Sequence, residues 1–503
     1  MNYTRDVGRN TFSALVGHES FDYEFNWLTG FRTDVIAEGN TELVNFTNTS
    51  DLNSFTRRYS TEGYLARLEY DYNDIYYLSS SFRRDGSSRF DRDVRWGNFW
   101  SVGGAWRLDQ EDFMQGISWL SLLKARASYG EVGNDSNLDQ ASLSFFASQA
   151  LFGLGNNNAS EPGILISTLA APTLEWESNQ QTDVALEFAL FNYRVSGSVE
   201  FYNRVTDDLL FNVPLPLSSG IDDVNQNIGS MFNRGIEVDL AVDLIRTQDF
   251  TWRLNVNAST VQNEFTKLPQ EEIITGSKKL VVGGSIYDYW LRDWYGVDPT
   301  DGAALYILDD EIDPTDVDVR TVDGVLVTTN QNKAKFDFVG TAIPDLFGSF
   351  NSGFTYKAFK LGVLFTYQIG GQTYDTNYAG LMSAGAYGNA YSTDILQRWQ
   401  NPGDVTNVPR LDVSQTAAFG AASDRWLISS SYIALRQINF SYDLPVGKAQ
   451  SIGLQNLRVY ANGENIFFST DRKGMFVNQN FNGTTQNVFT PSRIVTLGVT
   501  ATF

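Results

Sequence analysis

The chain has 503 residues, 59 of them acidic and 37 basic, for a formal net charge of -22. Such a surface would repel phosphate backbones and excludes nucleic acid as the natural partner, while the absence of cysteine excludes disulfide scaffolds and thiolate metal sites. Mean hydropathy is -0.25 and no run approaches the roughly 18 apolar residues of a spanning helix; yet 14% aromatic content with 42 glycines and 12 prolines suits strands in which every second residue is polar.

In chain order, residues 1 to 60 already read as strands, Thr11 to Gly17 and then Phe21 to Phe31, with no basic and apolar leader. Tyr64, Ala66, Leu68, Tyr70 and Tyr72 alternate with Leu65, Arg67, Glu69 and Asp71, and Asn73-Asp74 turns the chain into Ile75 to Arg83. Val184, Leu186, Phe188 and Leu190 lead through Asn192 into Val195, Val199 and Phe201. Ile236 to Leu244 lead through Arg246 to Asp249 into Trp252 to Ala258, and Phe347 to Tyr356 are joined to Leu361 to Tyr367 by YKAFK. Val495, Leu497, Val499, Ala501 and Phe503 close the chain on one face of a strand, with threonines and Gly498 on the other. Between the hairpins the connections are long, near 130–180, 204–233, 260–343, 370–430 and 464–492. Short links at one end and long ones at the other is the layout of outer-membrane barrels, so the fold expected is an all-β, antiparallel transmembrane β-barrel.

Opposite the apolar faces stand Arg67, Glu69, Asp71, Arg83, Lys124, Arg126, Glu187, Arg194, Glu237 and Asp239. A solid core would not tolerate them unpaired; they are expected to line a wet or plugged lumen, as a conduit or as mutually paired wall residues. RRDGSSR and RWGNFW read as a packed loop with girdle tryptophans Trp96, Trp100 and Trp106, or else as a basic patch for lipid headgroups or substrate. Trp290, Trp294, Tyr295, Asp298, Asp301 and Tyr306 cluster in a long connection and are the candidate substrate contacts, since sugar faces stack on aromatic rings and carboxylates accept from hydroxyls. Packing against a lid partner is the other reading of the same six. Catalysis has little to rest on, with His18 the sole histidine, and no enzyme is expected. No cofactor is expected either. DDEIDPTDVDVRTVDG offers oxygen ligands for calcium but lacks EF-hand spacing, and a solvated acidic loop is the plainer reading.

YLSSSFRRDGSSRFDRDVRWGNFWSVGGAWRL, LLKARASYGEVGND, WLRDWYGVDPTDGAALY, GTAIPDLFGSFNSGFTYKAFKLGVLFTYQIGG, SDRWLISSSYIALRQINFSYDLP and LRVYANGENIFF together resemble, in order, the barrel of the SusC/RagA family of TonB-dependent outer-membrane transporters. The resemblance implies an outer-membrane location in Bacteroidetes-type bacteria and import of large nutrients, glycans or peptides. It also implies a SusD-like surface lipoprotein as lid and energy from a TonB–ExbB–ExbD complex. Family barrels have about 22 strands around a plug, whereas about fifteen strands and no plug are read here. Residues 1–503 are therefore expected to be a carboxy-terminal barrel portion that alone does not transport. The alternative function is a non-energised outer-membrane binding or structural protein, or a passive pore.

Overall fold

The computed structural model describes residues 1–135, 145–154, 158, 161–221, 223–383, 388–472, 475–486 and 488–503. The parts of the expected connections 130–180, 204–233, 370–430 and 464–492 that fall between these ranges lie outside the described residues. Fifteen strands neighbour one another in chain order in one sheet. They are β1 Asn2–Val7, β2 Asn10–Val35, β3 Phe46–Tyr72, β4 Tyr76–Ser87, β5 Trp96–Arg107, β6 Leu120–Asn134, β7 Glu177–Leu190, β8 Val195–Pro214, β9 Asp223–Arg246, β10 Phe250–Ser259, β11 Leu346–Tyr356, β12 Phe359–Ile369, β13 Tyr432–Asp443, β14 Asn456–Thr470 and β15 Ile494–Thr502. A short sixteenth, Gln262–Lys267, pairs with β9. The chain divides into two compact units, residues 1–110, 125–184 and 204–231 in one and 111–124, 185–203 and 232–503 in the other.

In the first unit β1 to β5 pair antiparallel, each with the next. Val16 stands opposite Ala66, Ala66 opposite Phe82 and Phe82 opposite Trp100, while three steps along Ser13, Glu69, Ser79 and Gly103 form a matching row on the other face. Directly opposed residues share a face, so alternation within each strand becomes an apolar side and a polar side of the sheet. Asn73 and Asp74 have φ of 57° and 56°, the left-handed pair that a tight hairpin turn requires, and the Asp71 carboxylate accepts from the Asp74 N–H at 3.1 Å. Rows of aromatics mark both ends of the apolar face. Tyr72, Tyr76 and Trp106 lie in register near the turn, with Tyr64 and Trp96 at the far end, their rings 6.3 Å apart. The ten-residue step from Trp96 to Trp106 is roughly 33 Å along the strand, or roughly 25 Å in height at barrel-like tilt, the thickness of an outer-membrane apolar band.

The segments Thr11 to Gly17 and Phe21 to Phe31 are one continuous strand of 26 residues rather than two. Their alternation inverts: Phe12, Ala14 and Val16 are even-numbered, whereas Phe21, Tyr23, Phe25 and Trp27 are odd, yet the ladder to β3 does not slip until Phe31. Backbone pairing carries the strand past the point where the favourable face changes. The connection 88–95 packs with residues 147 and 171–176 at the end away from Asn73-Asp74: Phe90, Ala147, Ala171 and Leu174 form a buried cluster, and the Trp176 indole donates to the Arg95 carbonyl at 2.9 Å. The strands outrun the expected boundaries, β6 reaching Asn134 and β7 starting at Glu177, with β8 and β9 likewise narrowing the connection expected at 204–233.

In the second unit β9 to β15 also pair antiparallel in sequence. Ile245, Trp252, Phe354, Leu361, Phe440, Ala461 and Leu497 stand in one row across the seven strands, and Asp243, Arg253, Gly353, Gly362, Asn439, Asn462 and Thr496 in the alternate row. Val238 and Leu240 thus share a face with Leu497, Val499 and Ala501, as the alternation predicts. The turns at 247–249 and 357–358, the connection 444–455 and Phe503 lie at one end, and the connections 260–345, 370–431 and 471–493 at the other. The Asn192 turn belongs with the short ones, since Arg194 donates to the carbonyls of Asp243 and Leu244 at 3.0 and 2.9 Å.

Glycine allows one close approach in this wall. The Tyr367 hydroxyl reaches across Gly348 to the Asn257 carbonyl at 3.0 Å; a Cβ at Gly348 would strike that carbonyl and come within 2.9 Å of the hydroxyl, whereas Gly362 has nothing within 4 Å. Gly348→Ala is predicted to cost about 1–3 kcal/mol through overpacking and Gly362→Ala to be near neutral, read as the denaturant midpoint in lipid vesicles. Equal midpoints would show that the tyrosine tie does not constrain the wall.

Candidate functional site: polar wall and loop assembly

Several of the charged residues expected on the wall are ion-paired across or along it. Arg67 pairs with Glu69, Arg83 with Glu19 at 2.5 Å and Asp85 at 2.9 Å, and Lys124 with Glu187 at 3.5 Å. Most of these groups are partly exposed, where each pair contributes roughly 0.2–1 kcal/mol; their effect is to hold charge on one side of the sheet. Glu69, Asp71 and Arg126 line a concavity of about 470 Å³ with Thr11, Ser13 and Ser79. Asp239 lines a second, of about 360 Å³, with Asn255, Asn257, Ser349 and Asn351. Glu237 stands opposite Ser259 on β10.

The connection 260–345 folds into small sheets. Asp288–Arg292 pairs with Phe336–Thr341, and Trp294–Val297 with Ala304–Ile307. These place the six candidate contacts in different settings. Tyr306 is fully buried, T-stacked on Trp294 at 5.1 Å, with its hydroxyl donated to the Ala418 carbonyl at 2.5 Å. Burial raises its pKa, and its ring is a packing element with no face left for a ligand, a correction to the expectation for this residue. Asp298 is buried too, accepting from the Thr300 N–H at 2.8 Å and Arg320 at 2.6 Å. Arg320 also grips Asp301, whose pKa it lowers, and Arg410 approaches Asp301 at 3.6 Å. Both carboxylates are thus spent on shaping the connection. Trp294 donates its indole N–H to Asn407 at 3.0 Å. Tyr295 bonds Asp323 at 3.3 Å, and Trp290 packs on Phe336 and Phe338 with Lys279 4.2 Å above its ring. Trp290, Trp294 and Tyr295 remain partly exposed.

Sequence reasoning missed the residue that ties the connections together. The Arg425 guanidinium lies over Trp294 at 4.6 Å and Trp426 at 4.4 Å and donates to the carbonyls of Asn407 and Phe419 at 2.7 and 3.1 Å. Burial lowers its pKa to about 10. Beside it Met382, Val408, Phe419 and Trp426 form a buried cluster. Arg472 pairs with buried Asp375 at 2.7 Å, and Tyr289 donates to Gly483, so residues from 260–345, 370–431 and 471–493 are joined. The SDRW segment, an arginine beside a tryptophan among small polar residues, was the available signal.

Two lysines pair with part of the acidic segment: Lys333 bonds Asp316 at 2.6 Å and Asp318 at 2.9 Å, and Lys335 bonds Asp310 at 3.0 Å. Among the described residues no group of three His, Cys, Asp or Glu is placed to hold a metal ion. His18 approaches Glu62 at 3.2 Å on the wall. Most of the RRDGSSR segment is strand rather than the expected loop, since β4 runs to Ser87; just beyond it Arg89 is buried, 4.1 Å above Tyr59, and donates to the Asp135 carbonyl at 3.0 Å.

Lys278 donates to the Tyr287 carbonyl at 2.5 Å and sits 3.4 Å above the Tyr289 ring; burial lowers its pKa to about 7, partly offset by Asp288. Between pH 7 and the ordinary lysine value the unfolded segment binds more protons than the folded one, so folding of this connection strengthens as pH rises through that window. Proteolysis within 260–345, normalised to an unfolded control, is predicted to slow from pH 7 to pH 9, and Lys278→Met to remove that dependence. An unchanged slope in the variant would contradict the assignment.

The family described as TonB dependent receptor-like, beta-barrel, matches residues 2–466. TonB-dependent receptor P39 of Formosa agariphila is 30% identical over 94% of this chain and 49% of its own length. TonB-dependent receptor SusC of Bacteroides thetaiotaomicron is 25% identical over 94% and 47%. The solved RagAB peptide importer in its closed-closed state superposes with a TM-score of 0.84 at 25% identity, covering 100% of this chain and 55% of that one. The chain spans about half the length of the curated relatives it matches. A two-faced antiparallel wall, its aromatic rows and these likenesses converge: the chain belongs to the TonB-dependent receptor β-barrel family, is of SusC/RagA type, and is an outer-membrane protein.

Proposed function

We propose that this chain supplies wall and mouth to a TonB-energised importer of large nutrients, glycans or peptides, closed outside by a SusD-like lipoprotein and driven from the periplasm by a TonB–ExbB–ExbD complex. The observation that carries the reading is the charged face of the wall, with Arg83, Glu19 and Asp85 paired along it. Such a row suits water or a polar plug and has no place in a solid core. RagAB is described as a peptide importer, which favours a large cargo here.

Substrate contact is assigned to the partly exposed Trp290, Trp294 and Tyr295. Tyr306, Asp298 and Asp301 act behind them as framework, and Arg425 fixes Trp294 in place. Losing one stacking ring should cost about 1 kcal/mol. In cells whose only copy is the native-length gene, Trp290→Ala is predicted to raise the half-saturation concentration for nutrient uptake roughly fivefold at unchanged surface level. Collapse of the proton-motive force should abolish uptake in both strains. Uptake that continues undiminished without it would replace this reading by a passive pore.

A further inference from the structure

We infer that Arg84 is a binding site for the phosphate of an outer-leaflet lipid headgroup. Arg84 stands opposite Tyr64 on β3 and Asn98 on β5, in the face that carries Leu78, Phe82 and Trp100. That face is the lipid-facing one. A guanidinium there must leave the hydrocarbon, and long cationic side chains do so by snorkelling to the interface. The structure places it so: the Arg84 guanidinium lies 5.5 Å from the ring of Trp96, which is two register pairs nearer the long-connection end. Trp96 belongs to the aromatic row at that end, so the charge sits at headgroup level.

The cation is also uncommitted. Among the described residues Arg84 makes this ring contact but no hydrogen bond or ion pair, and it is exposed. Its neighbours are settled elsewhere: Arg83, on the opposite face, is held by Glu19 and Asp85, and Glu62, the carboxylate on the same face of β3, accepts from Tyr64 at 2.6 Å and meets His18 at 3.2 Å. In a chain of net charge -22, a free arginine on the lipid-facing surface at headgroup depth is matched by an anion from the bilayer itself. A planar guanidinium offers a phosphate two parallel N–H donors, and Trp96 beneath it restricts its rotation.

The test is native mass spectrometry of the native-length protein carrying a phosphorylated glycolipid or the same lipid dephosphorylated, with inorganic phosphate as competitor. One cation near the surface is worth about a fivefold change in lipid retention. Wild type should retain the phosphorylated lipid about fivefold better than its dephosphorylated form. Arg84→Gln should lose that preference, Arg84→Lys keep most of it, and Arg58→Gln, whose arginine is held by Glu24 at 2.8 Å, leave it intact. Preference unchanged in Arg84→Gln, or reduced equally by Arg58→Gln, would overturn the site. Displacement by millimolar inorganic phosphate would also overturn it, as marking a general anion site.

Discussion

Everything in this chain depends on the impossibility of leaving a peptide group unpaired in hydrocarbon. Each unsatisfied N–H or C=O there costs several kilocalories per mole, and an antiparallel ladder answers with cross-strand bonds while helices answer within themselves. Choosing strands fixes the side-chain period at two, so one face must suit lipid and the other water. The row from Ile245 to Leu497 and the row from Asp243 to Thr496 are that consequence in side chains. The same rule governs the glycines: where Tyr367 reaches over Gly348 to a backbone carbonyl, space is kept by the absence of a Cβ.

How much of this was legible in the sequence follows from the same physics. Alternation in 64–72, 236–244 and 495–503 has one reading because each strand crosses a single boundary between apolar and polar media. It fails at β2, where the aromatic face changes sides between His18 and Phe21 although pairing continues, because the strand has left the bilayer and its aromatics answer to Tyr59, Phe55 and Phe145 instead. The turn at Asn73-Asp74 was readable from its residue types alone; the ends of β6 to β9 were not, since polar strand segments beyond the bilayer look like loop.

The loop assembly was less legible for a different reason. Aromatic and acidic residues at 290–306 could signal a ligand surface or a small folded core, and composition does not separate the two. The fold uses Tyr306 and Asp298 for the core and leaves Trp290, Trp294 and Tyr295 partly open. Arg425 could not be placed by spacing, because its partners come from residues 294, 407 and 419, brought together only by folding. Its cation is stabilised by ring faces and carbonyl oxygens instead of a carboxylate, which suits an assembly that must stay ordered in changing salt.

The central claim is that the two faces of the wall meet different media. Residues 1–503 contain no cysteine, so single cysteines can be placed at Leu361, Val459 and Val499 on one face and at Asn351, Asn439 and Asn462 on the other, in native-length protein with any cysteine outside these residues replaced by serine and inserted in vesicles. The account predicts that a membrane-impermeant maleimide, supplied on both sides of the bilayer, labels the asparagine positions. It also predicts that a bimane fixed at the other three is quenched by brominated lipid. Quenching at the asparagine positions with labelling at Leu361, Val459 and Val499 would contradict it.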